Sequence, residues 1–201
     1  MVCVKIDDTQ GKGENMQRIL FICWANCIRS LMAEALLNYR GGAYFRACSA
    51  GVQPASSPHL FTIQALEEMR IPVRGLHPKS WHEFEQEKFD AVITLSRRAR
   101  AVVESEWLQP APELQRPLRA HWEFVDPVTY SIPGRVMSDT DRMQAFRDTR
   151  DDLRECIEYL CLEAKEAVKS PEAFLRALRE AGEDETERQR REGAGRGYAT
   201  R

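Results

Sequence analysis

The sequence holds no apolar run long enough to cross a bilayer. Its first residues, M-V-C-V-K-I-D-D-T-Q, lack the hydrophobic centre of a secretory signal. It also lacks an excess of one charge: 29 Lys and Arg stand against 31 Asp and Glu, a net charge of −2. No general attraction to nucleic acid or to an anionic membrane follows from that balance. Disulfide-framework spacing is absent too. The six cysteines (Cys3, Cys23, Cys27, Cys48, Cys156 and Cys161) are scattered and read as free thiols, so the expected setting is reducing and cytoplasmic. Cys23 and Cys27 are close enough to open a zinc site. No second close-spaced Cys/His pair completes it, so neither a metal nor another cofactor is expected. There are no internal repeats.

What remains is an ordinary globular composition. Of 201 residues, 43% are hydrophobic and 30% charged, enough for one α/β domain with its own core. Residues 1–15 are polar, with Gly11 and Gly13, and read as a flexible lead-in. The folded domain is expected over residues 16–169. Residues 170–201 read as a charged, partly disordered tail that begins with a short amphipathic piece carrying Phe174, Leu175 and Leu178.

The chain is organised around Arg18–Glu34, R-I-L-F-I-C-W-A-N-C-I-R-S-L-M-A-E. Apolar residues run into Cys23, and a helical pattern starts at Arg29 and continues through Met32, Ala33, Leu36 and Leu37 to a stop at Gly41-Gly42. This predicts a buried strand, a tight loop and a helix N-terminus. Such a loop aims successive backbone N–H groups and the positive helix end at one point, which suits an oxyanion. Cys23 would lie beneath that anion, and the guanidinium of Arg29 would clamp it with two parallel hydrogen bonds. These surroundings favour a thiolate, the nucleophilic form of cysteine. Ser30 could donate a further hydrogen bond to the sulfur. The loop contains no glycine, so any left-handed turn falls to Asn26.

Further strands are expected at about Ala43–Ser49, Phe89–Ser96 and Leu118–Trp122, and helices at about His59–Met69, from Arg97, and at Ser138–Lys169. Met143, Phe146, Leu153, Ile157 and Leu160 form the stripe of that last helix. Cys48, Cys156 and Cys161 read as core. His59 reads as a surface residue, and His77 and Lys79 either as part of a solvated loop or as groups that serve substrate approach. Arg97, Arg98 and Arg100 read as a solvated helix face, and Gln109–Pro117 as an irregular connector. The alternation argues for a doubly wound, three-layer α/β/α fold with a four-stranded parallel sheet. The Cys23 loop then lies at the carboxyl ends of the strands, where such folds bind ligands.

C-W-A-N-C-I-R-S resembles the C-x-x-N-x-x-R-S phosphate loop of the low-molecular-weight protein tyrosine phosphatases, a fold shared with the thioredoxin-coupled arsenate reductases. The resemblance covers roughly residues 17–168 and includes the S-A-G phrase at Ser49–Gly51. It implies that Cys23 is a nucleophile and that Trp24, Ala25, Asn26, Cys27, Ile28 and Ser30 line the oxyanion site with Arg29. It also implies that Asp126, in the Asp126-Pro127 pair after the last strand, is the general acid that protonates the leaving group.

Three departures from the family pattern matter. Trp24 and Ala25 stand where the family has a small or aliphatic residue and glycine. Cys27 is one place earlier than the family's second loop cysteine, so a Cys23–Cys27 disulfide does not follow. H-W-E-F-V-D-P at His121–Pro127 resembles the arsenate reductases more closely. Those enzymes pass the oxidation to two downstream cysteines; the position of one is Ser96 here, and no cysteine occurs between Cys48 and Cys156. Val128 and Thr129 stand where a tyrosine pair would follow the D-P. Three readings stay open. One is a phosphatase acting on phosphomonoesters of the phosphotyrosine type. The second is an arsenate reductase served by an external low-molecular-weight thiol, or by Cys27. The third is an oxyanion-binding module without turnover.

Overall fold

The computed structural model describes residues 16–106, 117–131 and 136–182. The elements are β1 (Gln17–Cys23), α1 (Arg29–Arg40), β2 (Phe45–Gly51), α2 (Leu60–Glu68), a 3-10 turn (Trp81–Phe84), β3 (Ala91–Thr94), α3 (Arg97–Glu106), β4 (Leu118–His121), α4 (Asp139–Leu162), α5 (Ala164–Ala167) and α6 (residues 171–182). The four strands pair in parallel in the order β2-β1-β3-β4. This is the expected α/β architecture.

Alternation along β1 builds the three layers. Ile19, Phe21 and Cys23 enter the larger core, shared with α1, α2, α4, α5 and α6. Leu20 and Ile22 enter the smaller one with Trp81, Phe84, Val92, Ala99 and Val103. Leu31, Met32, Leu36 and Leu37 of α1 are fully buried, each contributing about 1.5–3 kcal/mol. α1 stops at Gly41, whose N–H donates to the Leu37 carbonyl at 2.7 Å. The chain leaves β1 toward β2 on one side and returns to β3 on the other, so the carboxyl ends of β1 and β3 flank a topological switch point.

Several expectations are corrected. β2 lies two residues later than expected, and β3 is only the middle of the apolar run. The long C-terminal helix starts as expected, with Ser138 and Asp141 forming a capping box, but it ends at Leu162 and a separate turn follows. Lys79 is not solvated. It is 2% exposed, and Nζ donates to Glu34 at 3.0 Å. His59 is half-buried: its Nδ1 accepts the Phe61 N–H and caps α2, while its ring stacks on Phe146. The packed unit also runs past the expected end at residue 169, because Phe174, Ala177, Leu178 and Ala181 of α6 are buried in the larger core. The expected lead-in, most of the 109–117 connector and the charged tail after Gly182 lie outside the described residues. Among the described residues, no helix is long and apolar enough to cross a membrane.

Candidate active site

β1 delivers Cys23 to the switch point, where it is 3% exposed. The chain then folds around its sulfur. The Asn26 N–H donates to Sγ at 3.3 Å, and Ser30 Oγ lies 2.9 Å from it. Asn26 takes the left-handed conformation expected of it, with φ 46°. Its side chain holds that strained turn from within: Nδ2 donates to Ser30 Oγ and Ser49 Oγ, both at 2.8 Å, and Oδ1 accepts the Lys79 N–H at 2.7 Å. Ser49 in turn donates to Glu34, the partner of Lys79. A buried polar chain therefore runs from the Cys23 sulfur to the Lys79 ammonium.

Four of the loop carbonyls are bonded to the segment that follows β2. Those of Cys23, Trp24, Ala25 and Cys27 accept N–H groups from Val52, Gln53, Ala55 and His59, at 2.9–3.2 Å. The Thr62 hydroxyl adds a second bond to the Cys27 carbonyl. With these carbonyls already bonded, the loop N–H groups need not pair with them, and that of Asn26 is directed at the Cys23 sulfur. No side chain caps α1 at Ile28, so the helix-end donors are open as well.

Arg29 is 6% exposed and crosses to the segment after β4. Nη1 donates to the Phe124 carbonyl at 2.9 Å, and Nη2 to Asp126 Oδ2 at 2.6 Å. Both prongs of the expected clamp are thus engaged. Nε is buried and has no partner, a donor placed for an incoming acceptor. Asp126 is held by a turn that explains the D-P pair: its Oδ1 accepts the Val128 N–H and its carbonyl accepts the Thr129 N–H. Its side chain is one-third exposed, at the rim of the loop.

Cys27 lies near the same charges. Burial, and then the charges of Cys23 and Asp126, push its thiol up to about 11. Burial lowers the pKa of His59, with the Asp126 charge opposing. Trp24 is half-buried, and the guanidinium carbon of Arg98 sits 3.3 Å from its ring centroid. Its neighbours Arg97 and Arg100 are exposed, paired with Glu123 and Glu104. His77 is remote, its Nδ1 bonded to the Gly75 carbonyl.

The structure thus gathers Cys23, Trp24, Ala25, Asn26, Cys27, Ile28, Arg29 and Ser30 in one loop with Asp126 at its edge. Sequence reasoning missed Ser49, Glu34 and Lys79 behind the loop. The available signal was Glu34, a carboxylate inside the apolar face of α1.

The family described as low molecular weight phosphotyrosine protein phosphatase matches residues 18–170. An arsenate reductase of Bacillus cereus (strain Q1) is 30% identical over 139 residues, 68% of this chain and 98% of that protein. A glutaredoxin arsenate reductase of Synechocystis is 25% identical over 145 residues, 72% of this chain and 96% of that protein. The crystal structure of a low molecular weight protein tyrosine phosphatase from T. tengcongensis superposes with a TM-score of 0.53 at 22% identity. The match covers 71% of this chain and 95% of that one.

Proposed function

The chain belongs to the low molecular weight phosphotyrosine protein phosphatase family, and on that premise we propose that it hydrolyses phosphomonoesters through a cysteinyl-phosphate intermediate. The observation that carries this reading is the pairing of Arg29 with Asp126 at 2.6 Å, which puts a carboxyl group at the rim of the loop around Cys23. The Cys23 thiolate attacks phosphorus, forming the S–P bond as the P–O bond breaks. Asp126, in its acid form, gives its proton to the departing alkoxide or phenoxide. Loop amides, the α1 N-terminus and Arg29 carry the charge of the phosphoryl oxygens. Asp126, now a carboxylate, takes a proton from a water that attacks phosphorus, and cleavage of the S–P bond returns the thiolate and free phosphate.

A second reading has its own support: the curated relatives at 25–30% identity are named arsenate reductases. Reduction of As(V) to As(III) takes two electrons, supplied by oxidising two thiols to a disulfide. Cys23 provides one. The second comes from an external thiol or from Cys27, whose thiol burial pushes up to about 11; no cysteine lies between Cys48 and Cys156. Hydrolysis needs neither, and this favours the phosphatase.

The deciding experiment runs para-nitrophenyl phosphate hydrolysis beside arsenate-dependent oxidation of added glutathione or thioredoxin, for wild type and Cys23→Ser. Hydrolysis that vanishes in Cys23→Ser supports the phosphatase. Rapid thiol oxidation with the aryl phosphate untouched overturns it.

A further inference from the structure

Helix α6 lies beyond residues 18–170, the stretch matched to the family. Even so, it grips the segment that carries the site. Its buried face (Phe174, Ala177, Leu178, Ala181) sits in the larger core, with Phe174 stacked on Phe45. The Leu178 carbonyl accepts the Trp122 indole N–H at 2.8 Å. At the end of α6 the indole lies against Gly182: a Cβ there would come 2.1 Å from Trp122 Cδ1 and 2.6 Å from Nε1.

Trp122 is the residue through which α6 reaches the chemistry. It is 1% exposed, wedged between α6 and Phe21 of β1, and its N–H extends the β3–β4 ladder to the Thr94 carbonyl at 2.9 Å. The irregular segment it opens holds Phe124, whose carbonyl receives Arg29 Nη1, and Asp126, which receives Nη2. Both protein groups that hold the Arg29 fork are therefore two and four residues from a side chain clamped by α6.

We propose that α6 is a positioning strap for the Asp126 segment, acting through the Gly182–Trp122 contact. The proposal rests on the phosphatase reading for its kinetic consequence but not for its structural one. Without a Cβ at residue 182 the indole keeps its place, Phe124 and Asp126 keep theirs, and the acid stays aligned with the leaving group over Cys23. Displacing the indole moves the acid, and a shift of about 1 Å in a reacting group costs on the order of 100-fold in rate.

The test uses Gly182→Ala in the full chain, a change that on helix propensity alone would favour α6. Two readouts are taken on folded protein: hydrolysis of aryl and alkyl phosphates ordered by leaving-group basicity, and titration with inorganic phosphate. Gly182→Ala is expected to lose about 10- to 100-fold in kcat on basic leaving groups and little on acidic ones, with KM nearly unchanged. Phosphate affinity should weaken about fivefold as the Phe124 support of Arg29 shifts. Adding Trp122→Phe to Gly182→Ala makes room for the methyl group and should restore most of both. A folded Gly182→Ala with wild-type leaving-group dependence and phosphate affinity overturns the strap, as does a double variant no better than the single one. If Gly182→Ala does not fold, Phe174→Ala decides: it loosens α6 from Phe45 without touching Trp122, so a steeper leaving-group dependence supports the strap and an unchanged one overturns it. If wild type hydrolyses no phosphate ester, the phosphatase reading fails, and the phosphate titrations still decide the strap.

Discussion

Asp126 Oδ2 sits 2.6 Å from Nη2 of Arg29, across 97 residues of chain. On the proposed reading, an oxyanion over Cys23 can take the unpartnered Nε of Arg29 and compete with Asp126 for the guanidinium. Substrate binding and release of the acid are then one event. Asp126→Asn should lower kcat about 10²- to 10⁴-fold on phosphates with basic leaving groups. Its affinity for inorganic phosphate, read by calorimetric titration, should hold or rise, because a neutral amide competes more weakly for Arg29. A tenfold loss of phosphate affinity would mean that Asp126 holds Arg29 in place rather than competing for it.

Cys27 shares the loop with Cys23 but not its chemistry. Burial and two neighbouring negative groups keep its proton on up to about 11. Cys27→Ser should therefore keep at least half of wild-type hydrolysis, whereas Cys23→Ser should keep none. The shift also carries a stability signature. The folded pKa is raised above the ordinary 9.0, so between pH 9 and about 11 the unfolded chain has released this proton and the folded one has not. Stability is then lost as pH rises through that window. Thermal melts of wild type should fall more steeply from pH 9 to 11 than those of Cys27→Ala, and parallel curves would refute the assignment.

The loop's shape was legible in the sequence because its constraints are local. With no glycine available, Asn26 was the residue able to take positive φ, and it does. The start of α1 at Arg29 and its end at Gly41-Gly42 followed from a helical pattern between a loop and a pair of glycines. What stayed hidden depends on partners distant in sequence. Lys79 looks like a loop lysine until Glu34, 45 residues away, is folded against it. His59 looks exposed until Phe146 of α4 stacks on it. The packed role of α6 was hidden for the same reason, since its apolar face is short and finds its core only in three dimensions.

The Glu34–Lys79 pair is nearly dry, its side chains 9% and 2% exposed. Lys79→Met would leave the Glu34 carboxylate buried with only Ser49 as a side-chain hydrogen-bond partner. Removing one member of such a pair costs about 3–5 kcal/mol. Urea unfolding should show a loss of that size. Because Ser49 also accepts from Asn26, folded Lys79→Met protein should bind inorganic phosphate more weakly than wild type. A loss under about 1 kcal/mol would mean that water or a rearranged side chain replaces the ammonium.

Gly51 ends β2 directly behind Asn26. It pairs with Cys23 in the strand register, and its N–H donates to the Lys79 carbonyl at 2.8 Å. A Cβ at this position would lie 2.9 Å from the Asn26 nitrogen, 2.9 Å from Asn26 Cβ and 3.0 Å from the Ala25 carbonyl carbon. Two of these atoms are backbone, so no flexible side chain can swing away to make room. Gly51→Ala must push the left-handed turn of Asn26 off the sheet or push β2 off the loop. Overpacking of this kind costs about 1–3 kcal/mol, and here the strain falls on the residue whose N–H donates to the Cys23 sulfur. Gly51→Ala should fold with a lowered Tm, bind inorganic phosphate more weakly and hydrolyse aryl phosphates of every leaving group more slowly. That uniform loss separates it from Gly182→Ala, whose loss concentrates on basic leaving groups. Steady-state rates on the same substrate series decide the matter, and a Gly51→Ala enzyme with wild-type rates would show that the loop tolerates displacement from β2.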